Sequence, residues 1–179
     1  MKDRQRAAAR TSRRRHGRPA DLAWTTGRRL VVVDIENVVG GLCRTEAMTR
    51  WGHRFLQDAL ELRPRDQVVV GADGETMHLV AWDWRRARLV LGRHVKDGAD
   101  VALLDVLGED LARRFDEVVL VSGDGIFTDA VASLTSQGVR VTVAAHECAL
   151  SLQLRLVASE LLLLSREESY TAVPAQRSA

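Results

Sequence analysis

The sequence predicts an α/β domain, a three-layer α/β/α sandwich around a mostly parallel sheet of five or six strands. Two observations predict this fold class. From Arg28 onward, short runs rich in Val and Leu alternate with longer stretches of helical spacing, and this alternation is typical of right-handed crossovers between parallel strands. The strand runs are also apolar almost throughout, as in sheets covered by helices on both faces. With 179 residues, 46% of them hydrophobic, the chain is long enough for one such domain.

Each strand is predicted from an apolar run bounded by turn-forming residues. The strands are Leu30–Asp34, Gln67–Gly71, Ala87–Leu91, Glu117–Val121 and Val139–Ala144, with Leu161–Leu164 as a sixth candidate. Helices are predicted between them over Thr45–Leu62, Glu75–Arg85, Ala99–Phe115, Gly125–Gln137 and Glu147–Ser159. The third helix would bury one face made of Val101, Leu104, Gly108, Leu111 and Phe115. Gly138 follows the fourth helix, where a glycine commonly ends a helix.

Charge divides the chain unevenly. Residues 1–18 contain eight Lys or Arg and one Asp, a local charge of +7, which leaves 2 − 7 = −5 for the rest. We therefore predict a basic disordered arm over 1–26, a folded domain over 27–165 and a flexible tail over 166–179. A basic arm on an acidic domain indicates a polyanionic partner, and a solvated arm with no specific role is the alternative.

Several function classes find no support in the sequence. No apolar run approaches the ~18 residues of a membrane span, and no signal peptide is visible. Cys43 and Cys148 are isolated, so a reducing cytoplasm fits best. The motifs GxSxG, GxxxxGK[ST] and GxGxxG are all missing. Arg outnumbers Lys by 24 to 2, which fits a GC-rich bacterial genome.

Acidic residues follow the predicted strands where each strand ends. Asp34, with Glu36 and Asn37 after it, closes the first strand, and Asp124 follows the fourth. The carboxyl ends of parallel strands share one edge of the sheet, and ligands bind there at the switch in strand order. Crowded carboxylates repel one another, and Mg²⁺, which prefers oxygen ligands, would relieve the repulsion. The sequence thus predicts an acidic metal site, to which Asp100 at the start of the third helix would contribute.

Each acidic residue also has a structural interpretation. Asp124 and Asp100 could serve as helix N-caps, and Asp34 could form a turn. We expect Asp73, Asp97 and Asp105 to be solvated surface groups rather than ligands.

Three segments resemble the successive motifs of NYN domains, which are part of the PIN-like nuclease superfamily. They are VVVDIENVVGG, KDGADVALLDVL and VVLVSGDGIFTDAVASLTSQGVRVTVAA, and the resemblance covers about residues 28–165. It implies an endoribonuclease that depends on Mg²⁺ or Mn²⁺. It also implies that Asp34, Asp100 and Asp124 hold the metal, that Asn37 and Ser122 tune the site by hydrogen bonds, and that Lys96 and Ser122 contact RNA.

One position departs from the family pattern. Many members carry a second Asp two positions after the Asp of the Ser-Gly-Asp turn, and this chain has Ile126 there. Asp129 is one candidate to compensate, since helical side chains lean towards the helix N-terminus. Glu36 is another, because it would share a strand face with Asp34.

The leading hypothesis is a metal-dependent ribonuclease acting on RNA such as tRNA or mRNA, with Arg13, Arg14 and Arg15 gripping phosphates. A catalytically silent module that binds RNA or protein is the alternative, favoured by Ile126, and a phosphatase of the same topology ranks last. A homodimer is expected only from the general prevalence of twofold symmetry. An antitoxin-like partner is expected only because compact PIN-like nucleases often serve as toxins.

Overall fold

A computed structural model describes residues 26–92 and 98–164 of the chain. It contains one sheet of six parallel strands in the order β3-β2-β1-β4-β5-β6. The strands are β1 Arg29–Asp34, β2 Gln67–Ala72, β3 Arg88–Leu91, β4 Glu117–Val121, β5 Arg140–His146 and β6 Glu160–Leu164. All five predicted strands and the sixth candidate are confirmed, with bounds that differ by at most two residues.

Helices cover both faces of the sheet. They are α1 Ile35–Val39, α2 Glu46–Ala59, α3 Met77–Asp83, α4 Gly98–Leu107, α5 Thr128–Ser136 and α6 Leu152–Val157. The core has two halves because successive side chains of a strand point to opposite faces. In β1, Val31 and Val33 pack with α1–α3, while Leu30 and Val32 pack with α4–α6. The predicted three-layer sandwich is confirmed.

The chain reverses direction across the sheet at β1. It first moves outward from β1 through β2 to β3, and then returns to place β4 on the other side of β1. The β1–β4 register pairs Val33 with Val121, so Asp34 and Ser122 come next along the two strands. The gap between the ends of β1 and β4 is therefore the switch point where a ligand site is expected.

The prediction for α4 was wrong at its C-terminal end. The helix ends at Leu107 rather than Phe115, since Gly108 follows and glycine is a poor helix former. Leu111 and Phe115 are buried as predicted, but they reach the core from a turn-rich segment over 108–116. Val101 was assigned to the buried face and is 43% exposed. The buried face of α4 is instead formed by Leu103, Val106 and Leu107.

The other helices are shorter than predicted at one or both ends. The segments before α5 and α6 form short 3-10 turns, Gly125–Phe127 and Glu147–Ala149. The short helix α1 was not predicted, because its apolar residues continue the strand-like run. Gly138 has a φ of 85°, which confirms its place at the end of α5.

Some predictions fall on residues that the structure does not describe. These are most of the basic arm, including Arg13, Arg14 and Arg15, the C-terminal tail over 166–179, and Lys96 and Asp97. Within the described ranges, no helix combines the length and the apolar character that a membrane crossing requires.

Candidate active site at the switch point

Asp34 is the centre of the predicted acidic site and lies at the junction of β1 and α1. Its side chain is buried, with 6% of its surface exposed. Its Oδ1 caps α1 by accepting a hydrogen bond from the backbone N–H of Asn37 at 3.2 Å. Its Oδ2 accepts a second hydrogen bond from the Ser122 hydroxyl at 3.1 Å. The carboxylate is thus fixed in orientation from two sides.

Ser122 joins the two strand ends. Its hydroxyl donates to Asp34 and also accepts a hydrogen bond from the backbone N–H of Asp124 at 3.2 Å. One buried hydroxyl therefore connects the Asp34 carboxylate at the end of β1 to the backbone of Asp124 after β4. Ser122 is fully buried, and its predicted contact with RNA stays a prediction. Its predicted role in tuning the site by hydrogen bonds fits its position.

Asn37 and Gly123 form a second connection across the gap. The Asn37 side-chain oxygen accepts a hydrogen bond from the backbone N–H of Gly123 at 3.2 Å, which ties α1 to the turn after β4. Gly123 also packs against the Ala149 carbonyl so closely that an added Cβ would lie 2.3 Å from that oxygen. Only glycine fits here, which explains the Gly of the Ser-Gly-Asp turn.

Asp124 matches its structural interpretation as a cap and still lies at the site. Its Oδ1 accepts a hydrogen bond from the backbone N–H of Ile126 at 2.9 Å and so begins the 3-10 turn. The side chain is otherwise exposed, and its charge acts on Asp34. Capping orients this carboxylate at the rim of the site without burying it.

The electrostatics of Asp34 indicate a place for positive charge. Burial raises the pKa of Asp34, and repulsion from Asp124 raises it further. Hydrogen bonds from Asn37 and Ser122 oppose the rise but do not cancel it. The negative charge of Asp34 is therefore under-compensated by the described residues.

A second pair of acidic residues lies beside the first. Burial and the charge of Asp73 raise the pKa of Glu36 to about 7, with smaller contributions from Asp34 and Asp100. The pKa of Asp73 is lowered: burial of Asp73 acts against this, and hydrogen bonds from Thr76 and Glu36 outweigh it. Among the described residues, the Glu36 Oε1 is buried without a hydrogen-bond partner. Burial and these two acids also raise the pKa of Cys43 to about 11.

The Glu36–Asp73 pair corrects one prediction. Asp73 was assigned to the solvated surface, but it is half-buried at the end of β2 and contacts Glu36. The signal that would have found it was available, because β2 neighbours β1 and their carboxyl ends share an edge. Asp105 is exposed, as predicted.

Asp100 and Asp129 differ in their relation to this cluster. Asp100 lies in the first turn of α4 rather than at its N-cap, and its charge acts on Glu36. Asp129 is exposed in the first turn of α5 and is not among the groups acting on Asp34 or Glu36. The structure thus brings Asp34, Glu36, Asp73, Asp100 and Asp124 to one edge, whereas Asp129 remains a prediction only.

The donor set suits a divalent cation in part. Within 26–92 and 98–164, no three Asp, Glu, His or Cys side chains are grouped closely enough to complete a metal site. Mg²⁺, however, commonly takes one or two protein carboxylates and completes its octahedron with water and substrate phosphates. The carboxylates of Asp34 and Asp124, which repel each other, fit that partial set. Beside them lies the buried Glu36 oxygen that has no hydrogen-bond partner among the described residues.

The six-stranded parallel sheet with helices on both faces is an α/β fold consistent with the class of PIN-like domains. The family model of the NYN domain matches residues 31–165, so the chain belongs to the NYN family. A crystal structure of a protein of unknown function from Vibrio parahaemolyticus is similar, with a TM-score of 0.55 and 18% identity over 79% of this chain and 94% of that one. At this identity the likeness shows the fold alone. No curated protein matches the chain.

Proposed function

We propose that this NYN domain is an endoribonuclease that hydrolyses RNA phosphodiester bonds with the help of Mg²⁺ or Mn²⁺. The observation that carries the proposal is the linked pair Asp34 and Asp124 at the switch point, held by one buried hydroxyl. A purely structural role would not require a buried, under-compensated carboxylate beside a second one, since crowding like charges costs stability. Membership of the NYN family supports the same class of reaction.

The reaction is an in-line displacement at phosphorus. A water molecule loses a proton as its oxygen forms a bond to phosphorus, the bond to the leaving ribose oxygen breaks, and that ribose oxygen takes up a proton. A cation held by Asp34, Asp124 and Asp100 would supply positive charge for the attacking and leaving oxygens. Ser122 and Asn37 keep the two strand ends at a fixed separation, so that the carboxylates need not reorganise on binding.

The test is cleavage of a mixed RNA pool with Mg²⁺, Mn²⁺ or EDTA, comparing the protein with Asp124→Asn. We expect metal-dependent cleavage that falls about 100-fold or more in the variant, because loss of an outer partner of a ligand alone costs 10–100-fold. Asp105→Asn is the matched control, since Asp105 carries the same charge on an exposed face of α4. Circular dichroism would verify that both variants fold.

Two outcomes would count against the proposal. Equal cleavage by Asp124→Asn and the parent protein would place the activity elsewhere. RNA binding without cleavage under any metal would favour the alternative, a catalytically silent RNA-binding module. Ile126 is the observation behind that alternative, because an exposed isoleucine stands where many members carry a second Asp.

A further inference from the structure

A cavity of about 210 Å³ opens at the amino edge of the sheet, the end opposite to the acidic site. It lies where β1, β2 and β3 begin, beneath the segment that follows α4. Its floor is apolar and belongs to the core, with Leu30, Val69 and Phe115 all nearly inaccessible to solvent. Glu109, Leu111, Arg114 and Phe115, from the segment that follows α4, all line this space.

The rim of this cavity is positively charged. Arg86, Arg88 and Arg114 line it, and Glu109 lies between the last two. The Glu109 carboxylate pairs with Arg88 at 2.6 Å and with Arg114 at 2.9 Å. We refer to the space bounded by these four residues as the arginine cavity.

The acids on the rim do not cancel this charge. Asp66 also lines the cavity, but its carboxylate is engaged by Arg29 and Arg63. Glu109 meets one nitrogen of each of its two arginines, whereas a guanidinium carries five N–H donors in a planar fork. Three arginines against one carboxylate leave an excess positive charge. Glu109 pre-orients two of the guanidinium groups, and such groups bind phosphate in a bidentate manner.

We propose that the arginine cavity binds a phosphate-bearing ligand whose apolar part is no larger than a nucleobase, either a free mononucleotide or the terminal nucleotide of an RNA. The size argues for this class, since a cavity of about 150 Å³ accommodates a benzene ring. The apolar floor would take the ring and the rim would take the phosphate. The arginine cavity lies at the amino ends of the strands and the acidic site at their carboxyl ends, so the length of the strands separates the two sites. The proposal therefore does not depend on nuclease activity.

The test is equilibrium binding by calorimetry in EDTA, using the Asp124→Asn protein so that RNA stays intact. The ligands are AMP, adenosine, and a short oligoribonucleotide with either a 5′-phosphate or a 5′-hydroxyl. We expect AMP to bind at least about tenfold more tightly than adenosine, because charge-assisted contacts to arginine are lost without the phosphate. Tighter binding of the 5′-phosphate oligonucleotide than of AMP would identify the RNA terminus as the source, and the reverse would identify the free mononucleotide.

Variants of the rim should act in opposite directions. Arg114→Gln and Arg86→Gln should each weaken AMP binding about tenfold, and Glu109→Gln should strengthen it several-fold by removing a competing carboxylate. Arg113→Gln is the matched control, because Arg113 neighbours Arg114, is 84% exposed and does not line the cavity. Arg86→Gln breaks no ion pair recorded in the described chain, so it tests the site even if Arg114→Gln unfolds. The proposal is overturned by no saturable binding of either phosphate ligand, or by binding that Arg86→Gln and Glu109→Gln leave unchanged.

Discussion

At the scale of single residues, the geometry of the site depends on the Ser122 hydroxyl, to which the proposed reaction assigns no chemical step. Ser122 bonds the Asp34 carboxylate and the backbone N–H of Asp124, and it is itself buried. Its contribution is therefore orientation: it holds Asp34 as a donor and the turn of Asp124 as an acceptor. We expect a residue in this positioning role to be sensitive to substitution.

Ser122→Ala should lower metal-dependent RNA cleavage by about 10–100-fold while the protein stays folded, since outer partners of metal ligands typically have effects of this size. The readout is the cleavage rate as a function of Mn²⁺ concentration, where the loss should be partly recovered at high metal. Ser136→Ala provides the control, because that hydroxyl is exposed and bonds only within α5. A variant as active as the parent at low Mn²⁺ would rule out this positioning role.

The same scale shows the limit of reasoning from sequence about the site. Asp34, Asn37 and Asp124 could be found from strand ends and a motif alone. The Glu36–Asp73 pair could not be ranked in that way, because the partial burial of Asp73 and its contact with Glu36 arise only in the folded chain. Burial of a polar group is a property of the tertiary fold, not of its neighbours in the chain.

At the scale of elements, a buried ion pair anchors β1 to the connection between α2 and β2. Arg29 pairs with Asp66 where both side chains are inaccessible, and it also donates to the backbone carbonyls of Leu60 and Glu61. Arg63 bonds the other oxygen of Asp66 at 2.8 Å. The start of the central strand is thereby held to the end of α2.

Asp66→Asn should reduce the free energy of unfolding by about 3 kcal/mol at pH 7, because it leaves a buried arginine charge without its counter-charge. Burial of Asp66 opposes a low pKa, but its bonds with Arg29 and Arg63 prevail and lower the pKa below the ordinary 3.8. The ion pair contributes its full stabilisation at pH values above the pKa of Asp66 in the unfolded chain. This stabilisation disappears as the pH falls through the lower pKa of Asp66 in the folded protein. Urea unfolding should therefore show the two proteins far apart at pH 7 and converging below pH 3.8.

The control for this experiment is Asp58→Asn, an exposed residue of α2. It should leave the unfolding midpoint nearly unchanged at both pH values. A difference between parent and Asp66→Asn that stays constant with pH would contradict the assigned ion pair.

Elements also differ in how well the sequence predicts them. The strands were predictable because a covered parallel strand is apolar on both faces, as in β4, where every residue is buried. The end of α4 was not, since Leu111 and Phe115 keep helical spacing after the helix has stopped. Spacing reports which residues are buried, and a turn can bury them as well as a helix can.

At the scale of the whole molecule, the distribution of charge opposes binding of RNA to the folded domain. The domain is net negative and its site is acidic, whereas residues 1–18 carry a charge of +7. RNA would be repelled by the domain and attracted by the arm. We therefore expect affinity to come largely from the arm and chemistry from the domain.

Replacing Arg13, Arg14 and Arg15 together by Gln should weaken RNA binding and reduce the slope of log affinity against log salt by about 2, at about 0.7 per phosphate contact on single strands. Fluorescence anisotropy with a labelled RNA between 50 and 200 mM salt would measure it. The matched control replaces the same three residues by Lys, which keeps the charge and should keep the slope. An unchanged slope in the Gln variant would mean that these three arginines do not contact phosphates.

The strand order has a consequence for the protein during its synthesis. When a ribosome has made only the first half of the chain, β1 can pair with β2, but its other edge has no neighbour until β4 emerges. Asp34 at that stage has neither Ser122 nor Asp124 beside it. Asp34 and Ser122 lie 88 positions apart in the sequence. A chain that ends before β4 would therefore lack half of the proposed site, and a nascent chain would complete that site only after its second half has folded.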